Sequence, residues 1–413
     1  MRRSCALRMR KSNVASCELR SVRLGPGLRL PMESSTQREI ALEPQSERLA
    51  ERLRQTDRGR PEQNPAAIEF ALHYSNRNRD GCIVADIADA SVSPNISSEG
   101  REALNVSFVI VAFRNDVVEL ELLMSSLLGG AERAGVKADL VVVLNDESKM
   151  GPIAGGTIVQ GHGNVGFAAG IKLGVQHSRG DYVIIVNPDC AVDDSNLARF
   201  FQSLVPGCGV VTPILRNAVG EIDYKPYENW TFTPARKLSE FISKHYMYKS
   251  SNEKIPYFVK VPGAFIGLER QLAVELDSPF DPAYFLYGED RDLTNRLRIR
   301  RVPMRLLRDV TITHIGGESG KTVSVLVEKC KSDSAMRVAF RRYGRVGAVM
   351  AALDLAGVAT VKGWRGDSSL SEPRLWAISR WRAANFRDPG ALNEKLLASE
   401  HHTKNVDHEG QAR

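Results

Sequence analysis

The pattern of apolar positions changes abruptly at Asn105. From there, VSFVIVAF (Val106–Phe113), ADLVVVLN (Ala138–Asn145) and DYVIIVNPD (Asp181–Asp189) are continuous apolar runs rather than alternating ones. Such runs mark strands buried on both faces. TIVQ (Thr157–Gln160) and VVTPIL (Val210–Leu215) predict shorter strands. Between them lie helical patterns: Leu120, Leu123, Leu127 and Leu128 share one face of a helix over Val117–Ala134, GNVGFAAGIKLGVQHSRG (Gly163–Gly180) is a Gly-rich entry into another, and Leu197–Leu204 is a third. PGAFIGLERQLAVEL (Pro262–Leu276) reads as a strand and then a helix, Glu289–Arg301 as a helix, PMRLLRDVTITHIGG (Pro303–Gly317) as a strand, and Val323–Gly363 as helical. Beyond Pro373 a short helix and a polar tail remain. Ala218–Lys260 has no clean period and receives no assignment. Strands alternating with helices predict an α/β fold with a Rossmann-like, mostly parallel sheet flanked by helices, and ligands at the C-terminal ends of the strands.

The chain before this point is different. Residues 1–102 are rich in Arg, Ser, Glu, Gln and Pro and predict a mostly disordered basic arm. Within it, a short helix near Gln45–Arg54, an isolated strand at CIVADI (Cys82–Ile87) and a turn-rich linker at Ser91–Gly100 are expected. The first 31 residues read either as that arm or as an extension ahead of a start at Met32. The expected organisation is therefore an arm over 1–102, an α/β domain over 103–322, and a C-terminal helical region with a polar tail over 323–413.

Composition narrows the partners. The 413 residues are 43% hydrophobic, enough for a sizeable core, and the formal charge of +7 favours anionic partners. Six scattered cysteines without C-x-x-C spacing predict reduced thiols and a cytoplasmic setting. No apolar run reads as the roughly 20 residues needed to cross a bilayer, and the N-terminus lacks an apolar signal core. No nucleic-acid reading motif is present, so nucleic acid is not an expected partner.

Four places carry candidate chemistry. NPD (Asn187–Asp189) ends a buried strand and puts a carboxylate where a hard divalent cation bound to a diphosphate would lie, although Asn, Pro and Asp also simply form turns. His314 near the end of another strand can share a metal with such an Asp, or be a hydrogen-bonded core residue. Gly166, Gly170 and Gly174 share one helix face, which admits either a ligand or a neighbouring backbone. FDPAYFLYGEDRDL (Phe280–Leu293) sets Glu289, Asp290 and Asp292 behind an aromatic run. In the first turn of a helix such carboxylates are held ionised, as a general base requires. The bland alternative is a capped, solvated helix with Asp292 paired to Arg296.

In order along the chain, VSFVIVAFRN, GNVGFAAGIKLG, DYVIIVNPD, GAFIGLERQLAVEL, FDPAYFLYGEDRDLTNRL and THIGGES resemble glycosyltransferase family two, of the GT-A fold, in its rhamnosyltransferase-like branch. The resemblance covers about Val106 to Gly317. It implies a nucleoside-diphosphate sugar donor and a Mn2+ or Mg2+ cofactor held by Asp189 and His314. It implies Asp290 as catalytic base, with Glu289 supporting it or touching the acceptor. Ala112, Phe113 and Asn115 would line the nucleotide, with Asn164, Gly166 and Phe167 under the nucleoside or sugar and Asn187 in the first position of the metal motif. The aromatics of Phe280–Tyr287 would wall an acceptor pocket. A glycan or a polyprenyl-diphosphate-linked acceptor in cell-envelope polysaccharide synthesis is implied, with single displacement and inversion.

Departures from the family pattern exist. Leu144 stands where an Asp is usual, so Asp146 is the expected substitute; Lys172 replaces a common Asn and is expected to meet phosphate; Pro282 replaces an acid. They keep open a catalytically silent glycan- or nucleotide-binding member of an envelope assembly complex. A sugar nucleotidyltransferase is disfavoured because AFRND carries no Gly-rich basic signature. Finally, Ala339–Gly366 sets Arg341, Arg342, Arg345, Lys362 and Arg365 beside Val346, Val349, Met350 and Leu353. That composition predicts a helix lying on an anionic membrane surface at the inner face of the cytoplasmic membrane, or packed on the domain.

Overall fold

A computed structural model describes residues 103–316, 325–364 and 371–398. The helix near Gln45–Arg54, the strand at Cys82–Ile87 and the linker at Ser91–Gly100 lie outside the described residues. In chain order the elements are β1 (Asn105–Ala112), α1 (Val117–Arg133), β2 (Lys137–Leu144), β3 (Gly156–Val159), α2 (Phe167–His177), β4 (Tyr182–Val186), β5 (Cys190–Ala191), α3 (Asp194–Gln202) and β6 (Val210–Arg216). They continue with α4 (Thr233–Lys249), β7 (Phe265–Glu269), α5 (Arg270–Glu275), α6 (Glu289–Ile299), β8 (Met304–His314), α7 (Val325–Trp364), α8 (Ser371–Ala383) and α9 (Glu394–Ala398).

The strands form one eight-stranded sheet in the order β3-β2-β1-β4-β7-β6-β8-β5. It is parallel from β3 through β4, and again between β6 and β8. β7 runs antiparallel to both its neighbours, and β5 antiparallel to β8. With helices packed against the sheet this is an α/β fold of the GT-A type. The apolar runs read as buried strands are buried: all of Val106–Ala112 and Leu140–Leu144 is inaccessible or nearly so. A strand covered on both faces has no polar side to show, which is why its sequence does not alternate.

The helix face Gly166-Gly170-Gly174 presses on that sheet. A Cβ on Gly174 would sit 2.2 Å from Val109 Cγ1, and one on Gly170 would sit 2.9 Å from Val111 Cγ1. Helix-to-sheet packing therefore accounts for two of the three glycines.

Two elements escaped the sequence pattern. α4 falls in the unassigned Ala218–Lys260 segment because its buried face contains Ser239 and Ser243 rather than a run of aliphatics. Ser239 Oγ accepts from Asn229 N at 2.9 Å and donates to Phe258 O at 3.2 Å, so burial there is polar and leaves no hydrophobic period. β5 is two residues long, too short for a pattern.

The C-terminal helices close on a buried ionic knot. Asp333 accepts from Arg337 Nη2 (3.1 Å), Arg380 Nη1 (2.5 Å) and Trp381 Nε1 (2.8 Å). Arg337, fully buried, also reaches Asp388 and the carbonyl of Gly390. α7 is broken at Gly344, whose φ of 62° only glycine adopts readily. By length and composition α7 is the one described helix apolar enough to cross a membrane, contrary to the reading that no such run exists. Its break at Gly344 and the packing of Ala348, Ala351 and Ala352 around Trp381 tie it to the protein.

Gly174→Ala pushes a methyl into Val109. We expect a loss of about 1–3 kcal/mol, read as a lower urea midpoint at unchanged slope.

Candidate active site

The first corner of the site forms where β4 stops. Pro188 has no N–H to extend the ladder. Asn187 N donates to Ala264 O (2.8 Å) and Cys190 N to Asn187 O (3.1 Å), which makes a tight turn. β5 then pairs Cys190 with His314, and Ile315 N donates to Asp189 O at 3.0 Å. Residues far apart in sequence thus meet. Asp189 Oδ1 lies 3.3 Å and Asn187 Nδ2 3.4 Å from His314 Nε2.

These groups fit a divalent cation on chemical grounds. Asp189 Oδ1 and Asn187 Oδ1 are buried and accept no hydrogen bond from the described residues. His314 Nε2 faces an amide that needs it as acceptor and a carboxylate that needs it as donor; one nitrogen cannot serve both. Two oxygens and an imidazole nitrogen are a donor set for Mn2+ or Mg2+. No group of three or more His, Cys, Asp or Glu suited to a metal occurs among the described residues. Burial works against the Asp189 charge, but His314 and the backbone amides of Asp189 and Gly316 outweigh it and hold the carboxyl below its usual range.

The rim beside this corner joins three loops. Asn115 Oδ1 accepts from Phe113 N (2.9 Å), and Asp146 Oδ2 accepts from Arg114 N (2.6 Å). Asp146 is poorly buried, and its hydrogen bonds from Ser148 and Arg114 lower its pKa against the opposing cost of burial. Asn145, which the sequence reading overlooked, is the joint: its N–H donates to Ala112 O (2.8 Å), its Oδ1 accepts from Val165 N (3.2 Å), and its Nδ2 reaches Asn164 Oδ1 (3.4 Å). Ala112, Phe113, Asn115, Asp146 and Asn164 are thereby held along one edge, with Phe113 40% exposed.

The second corner is the start of α6. Gly288, with φ 85°, turns the chain into the helix, and Glu289, Asp290 and Asp292 occupy its first turn. Asp290 does not stand alone. Lys260 Nζ bonds its Oδ2, and Arg291 N donates to its Oδ1 at 2.7 Å. Lys260 is only 5% exposed. A lone Lys inside the apolar run FVKVPGAF was the available signal, because a buried ammonium needs a carboxylate. Gly263 sits between the two corners: its Cβ position lies 3.9 Å from Asp290 Cβ and 3.9 Å from Phe167 Cε1, while the next residue, Ala264, bonds Asn187.

Several expectations need correction. Glu289 is not held ionised by its place in the first helical turn. It is buried, and its Oε2 is unpartnered among the described residues. Burial, with the neighbouring Asp290 charge, pushes its pKa up to about 8. Lys172 does not face a phosphate site; its ammonium is bound by Asp277 at 2.8 Å and 2.9 Å. Gly166 leaves no room for a ligand, since its Cβ position is 2.5 Å from Phe285 O. Phe280, Tyr284 and Phe285 are buried in the core and cannot wall an open pocket. Phe280 packs instead on Phe167, rings 5.6 Å apart. The modest reading holds for Asp292, which pairs with Arg296 at 2.7 Å.

Comparison with known proteins gives one family match. Residues 109–266 match the model of Glycosyl transferase family 2. Among solved structures, the chain is similar to GalNAc-T7 with UDP, GalNAc and Mn2+ (15% identity, TM-score 0.38, covering 51% of this chain and 43% of that one). It is also similar to the mannosyltransferase PcManGT from Pyrobaculum calidifontis in complex with GDP-Man and Mn2+ (13%, 0.40, 76% and 94%). A third is S. aureus TarS 1-349 (13%, 0.39, 68% and 74%). No curated protein matches the chain.

Glu289→Gln should raise stability in a pH-dependent way. The unfolded carboxyl ionises near 4.5 and the folded one near 8. Wild type therefore loses stability relative to the variant as pH climbs between those values, by at most about 1.4 kcal/mol per pH unit. Below pH 4 the two should melt alike, and above pH 8 the gap should stay constant.

Proposed function

We propose, from the match of residues 109–266 to the model of Glycosyl transferase family 2, that the chain is an inverting, metal-dependent glycosyltransferase. The observation that carries the reading is the pair of corners joined by Lys260–Ala264: a cation-type donor set at Asn187, Asp189 and His314, and a positioned carboxylate at Asp290. The donor is a nucleoside-diphosphate sugar. Its nucleotide lies along Ala112, Phe113, Asn115, Asp146 and Asn164, with Phe167 toward the sugar. A divalent cation held by Asp189, His314 and Asn187 would neutralise the diphosphate charge that grows as the glycosidic bond breaks.

Asp290 does the proton chemistry in this reading. Its Oδ1 has a lone pair beyond the one taken by Arg291 N, and this accepts the proton of the acceptor hydroxyl. The hydroxyl oxygen forms the new bond to the anomeric carbon while the bond to the diphosphate oxygen breaks, which inverts that carbon. Lys260 fixes the carboxylate and compensates its charge in a water-poor setting. L-rhamnose is the sugar we favour, from the resemblance of the motif run, and a glycan or polyprenyl-diphosphate-linked acceptor of the cell envelope completes the reaction.

Contact with a membrane surface is part of the reading, in altered form. The basic residues expected to meet lipid are engaged in the protein: Arg341 pairs with Asp281 at 3.0 Å, Arg342 bonds Thr231 and Asn229, and Arg345 Nε donates to Asn385 O. Arg365 lies outside the described residues. The apolar stripe Val346, Val349, Met350 and Leu353 is exposed, Val346 at 68% and Leu353 at 69%. Shallow insertion of that stripe is what would hold the protein at a cytoplasmic leaflet.

Three outcomes test these statements. Asp290→Asn should cut transfer by at least about a hundredfold while leaving Mn2+-dependent nucleotide affinity unchanged; transfer at the wild-type rate removes the base assignment. Asp189→Ala should weaken Mn2+-dependent nucleotide binding in a thermal-shift titration, and wild type that binds nucleotide but turns over no donor would favour a silent binding protein. Leu353→Asp should reduce co-sedimentation with phosphatidylglycerol vesicles, and equal sedimentation of variant and wild type would remove the membrane contact.

A further inference from the structure

We propose that Arg291, over the indole of Trp230, and Arg342, held by the residues on either side of that tryptophan, form a binding site for a phosphate or diphosphate group carried by the acceptor. The acceptor clause rests on the reading of Asp290 above; the anion site itself rests on the cations. Of four neighbouring cations, Lys260, Arg291, Arg298 and Arg342, two are satisfied. Lys260 is bound by Asp290, and Arg298 gives Nη2 to the carbonyls of Pro256 and Val259 at 2.7 Å each.

The other two have no anion. Arg291 lies with its guanidinium carbon 4.5 Å from the centre of the Trp230 ring, its Nε is buried, and its side chain has no hydrogen-bond or ion-pair partner among the described residues. Arg342 reaches only neutral oxygens, Thr231 Oγ1 and Asn229 Oδ1 at 2.7 Å each, and its Nε is also buried and unpartnered. Thr231 and Asn229 flank Trp230, so Arg342 is held beside the residue on whose ring Arg291 lies, and the exposed Arg236 is 5.9 Å from the same ring. The carboxyls nearby do not balance them. Asp290 is committed to Lys260, Glu289 is largely neutral at pH 7, and Glu228 is buried, its pKa raised by that burial, and in no ion pair among the described residues.

Half-buried guanidinium groups without a counter-charge are costly, and their forked donors fit phosphate oxygens. Two cations call for about two negative charges, which a phosphate supplies and a single carboxylate does not. Position separates this anion from the donor's diphosphate. The segment Pro256–Ala264 touches Arg298 with its first residues, Asp290 with Lys260, and Asn187 with Ala264. Asn229, which holds Arg342, gives its Nδ2 to Tyr257 O at 2.9 Å, so Arg342 lies toward the opposite end of the segment from the Asn187–Asp189 corner.

The test is calorimetric titration of the full chain in EDTA with inorganic pyrophosphate. Wild type should bind it, Arg291→Gln should bind several-fold more weakly, and Arg291→Gln/Arg342→Gln at least tenfold more weakly. Arg342→Lys, which keeps the charge, should stay within a few-fold of wild type, and Asp189→Ala should match wild type. Because the Arg291 side chain makes no hydrogen bond to lose, Arg291→Gln tests the site even if the double variant melts early. Geranyl diphosphate should bind at least as tightly as pyrophosphate, and UDP without metal no more tightly. The site is overturned if wild type does not bind pyrophosphate, if the double variant binds equally, or if Asp189→Ala loses as much. UDP binding most tightly and being lost in the double variant would make the donor the occupant and overturn the acceptor assignment. Pyrophosphate binding in a protein that transfers no sugar would keep the anion site and remove only the catalytic reading.

Discussion

The antiparallel ladder between β4 and β7 is the constraint on which the site depends. Val186 pairs with Phe265, and the next step outward places Asn187 against Ala264. In a parallel sheet, neighbouring strands would both end at this edge and feed helices behind it. Reversing β7 makes one strand leave the edge where the other arrives. The metal-type turn Asn187–Asp189 and the approach Lys260–Gly263 therefore occupy the same rim. A one-residue slip in that register would turn Phe265 and Ile266, both inaccessible to solvent, to the opposite faces of the sheet. Hydrophobic burial in the sheet thus fixes where the polar groups meet.

Around that rim the charges are arranged by burial rather than by exposure. Lys260 and Asp290 compensate each other at low accessibility, and removing one partner of such a pair typically costs about 3–5 kcal/mol. Glu289, one residue away, forms no ion pair among the described residues, and burial with the neighbouring Asp290 charge pushes its pKa up to about 8. Two adjacent carboxyls on one helical turn thus differ in their surroundings: Lys260 bonds Asp290, whereas Glu289 is buried beside the Asp290 charge. The same economy explains Asp333, whose three donors belong to Arg337, Arg380 and Trp381 and lock α7 to α8.

α7 links this knot to the rim. Its first half supplies Arg341 to Asp281 and Arg342 to Asn229 and Thr231, beside Trp230. Its second half, beyond Gly344, carries the exposed apolar stripe. One element therefore lies beside Trp230 and presents an apolar surface, and the positive-φ Gly344 sets the angle between its two halves.

The chain by itself determined the elements whose burial is apolar. β1, β2 and β4, the glycine face of α2 and the start of α6 are all legible because continuous aliphatic runs, i,i+4 glycines and acidic first turns follow from local sterics and dipoles. The motif order also singled out Asp189 and His314, which the pairing of β5 with β8 brings to 3.3 Å. What remained hidden was decided by contacts between distant segments. The serine-faced helix α4 left no hydrophobic period, and the reversal of β7 leaves no mark in its own sequence. Lys260 as the partner of Asp290, Asp277 as the partner of Lys172, and Phe285 as the occupant of the space above Gly166 each depend on a neighbour from elsewhere in the chain. A residue's type announces what it needs, an ion for an ammonium or room for a glycine. Only the packed structure decides which neighbour provides it, because that neighbour is set by strand register and helix docking rather than by anything local.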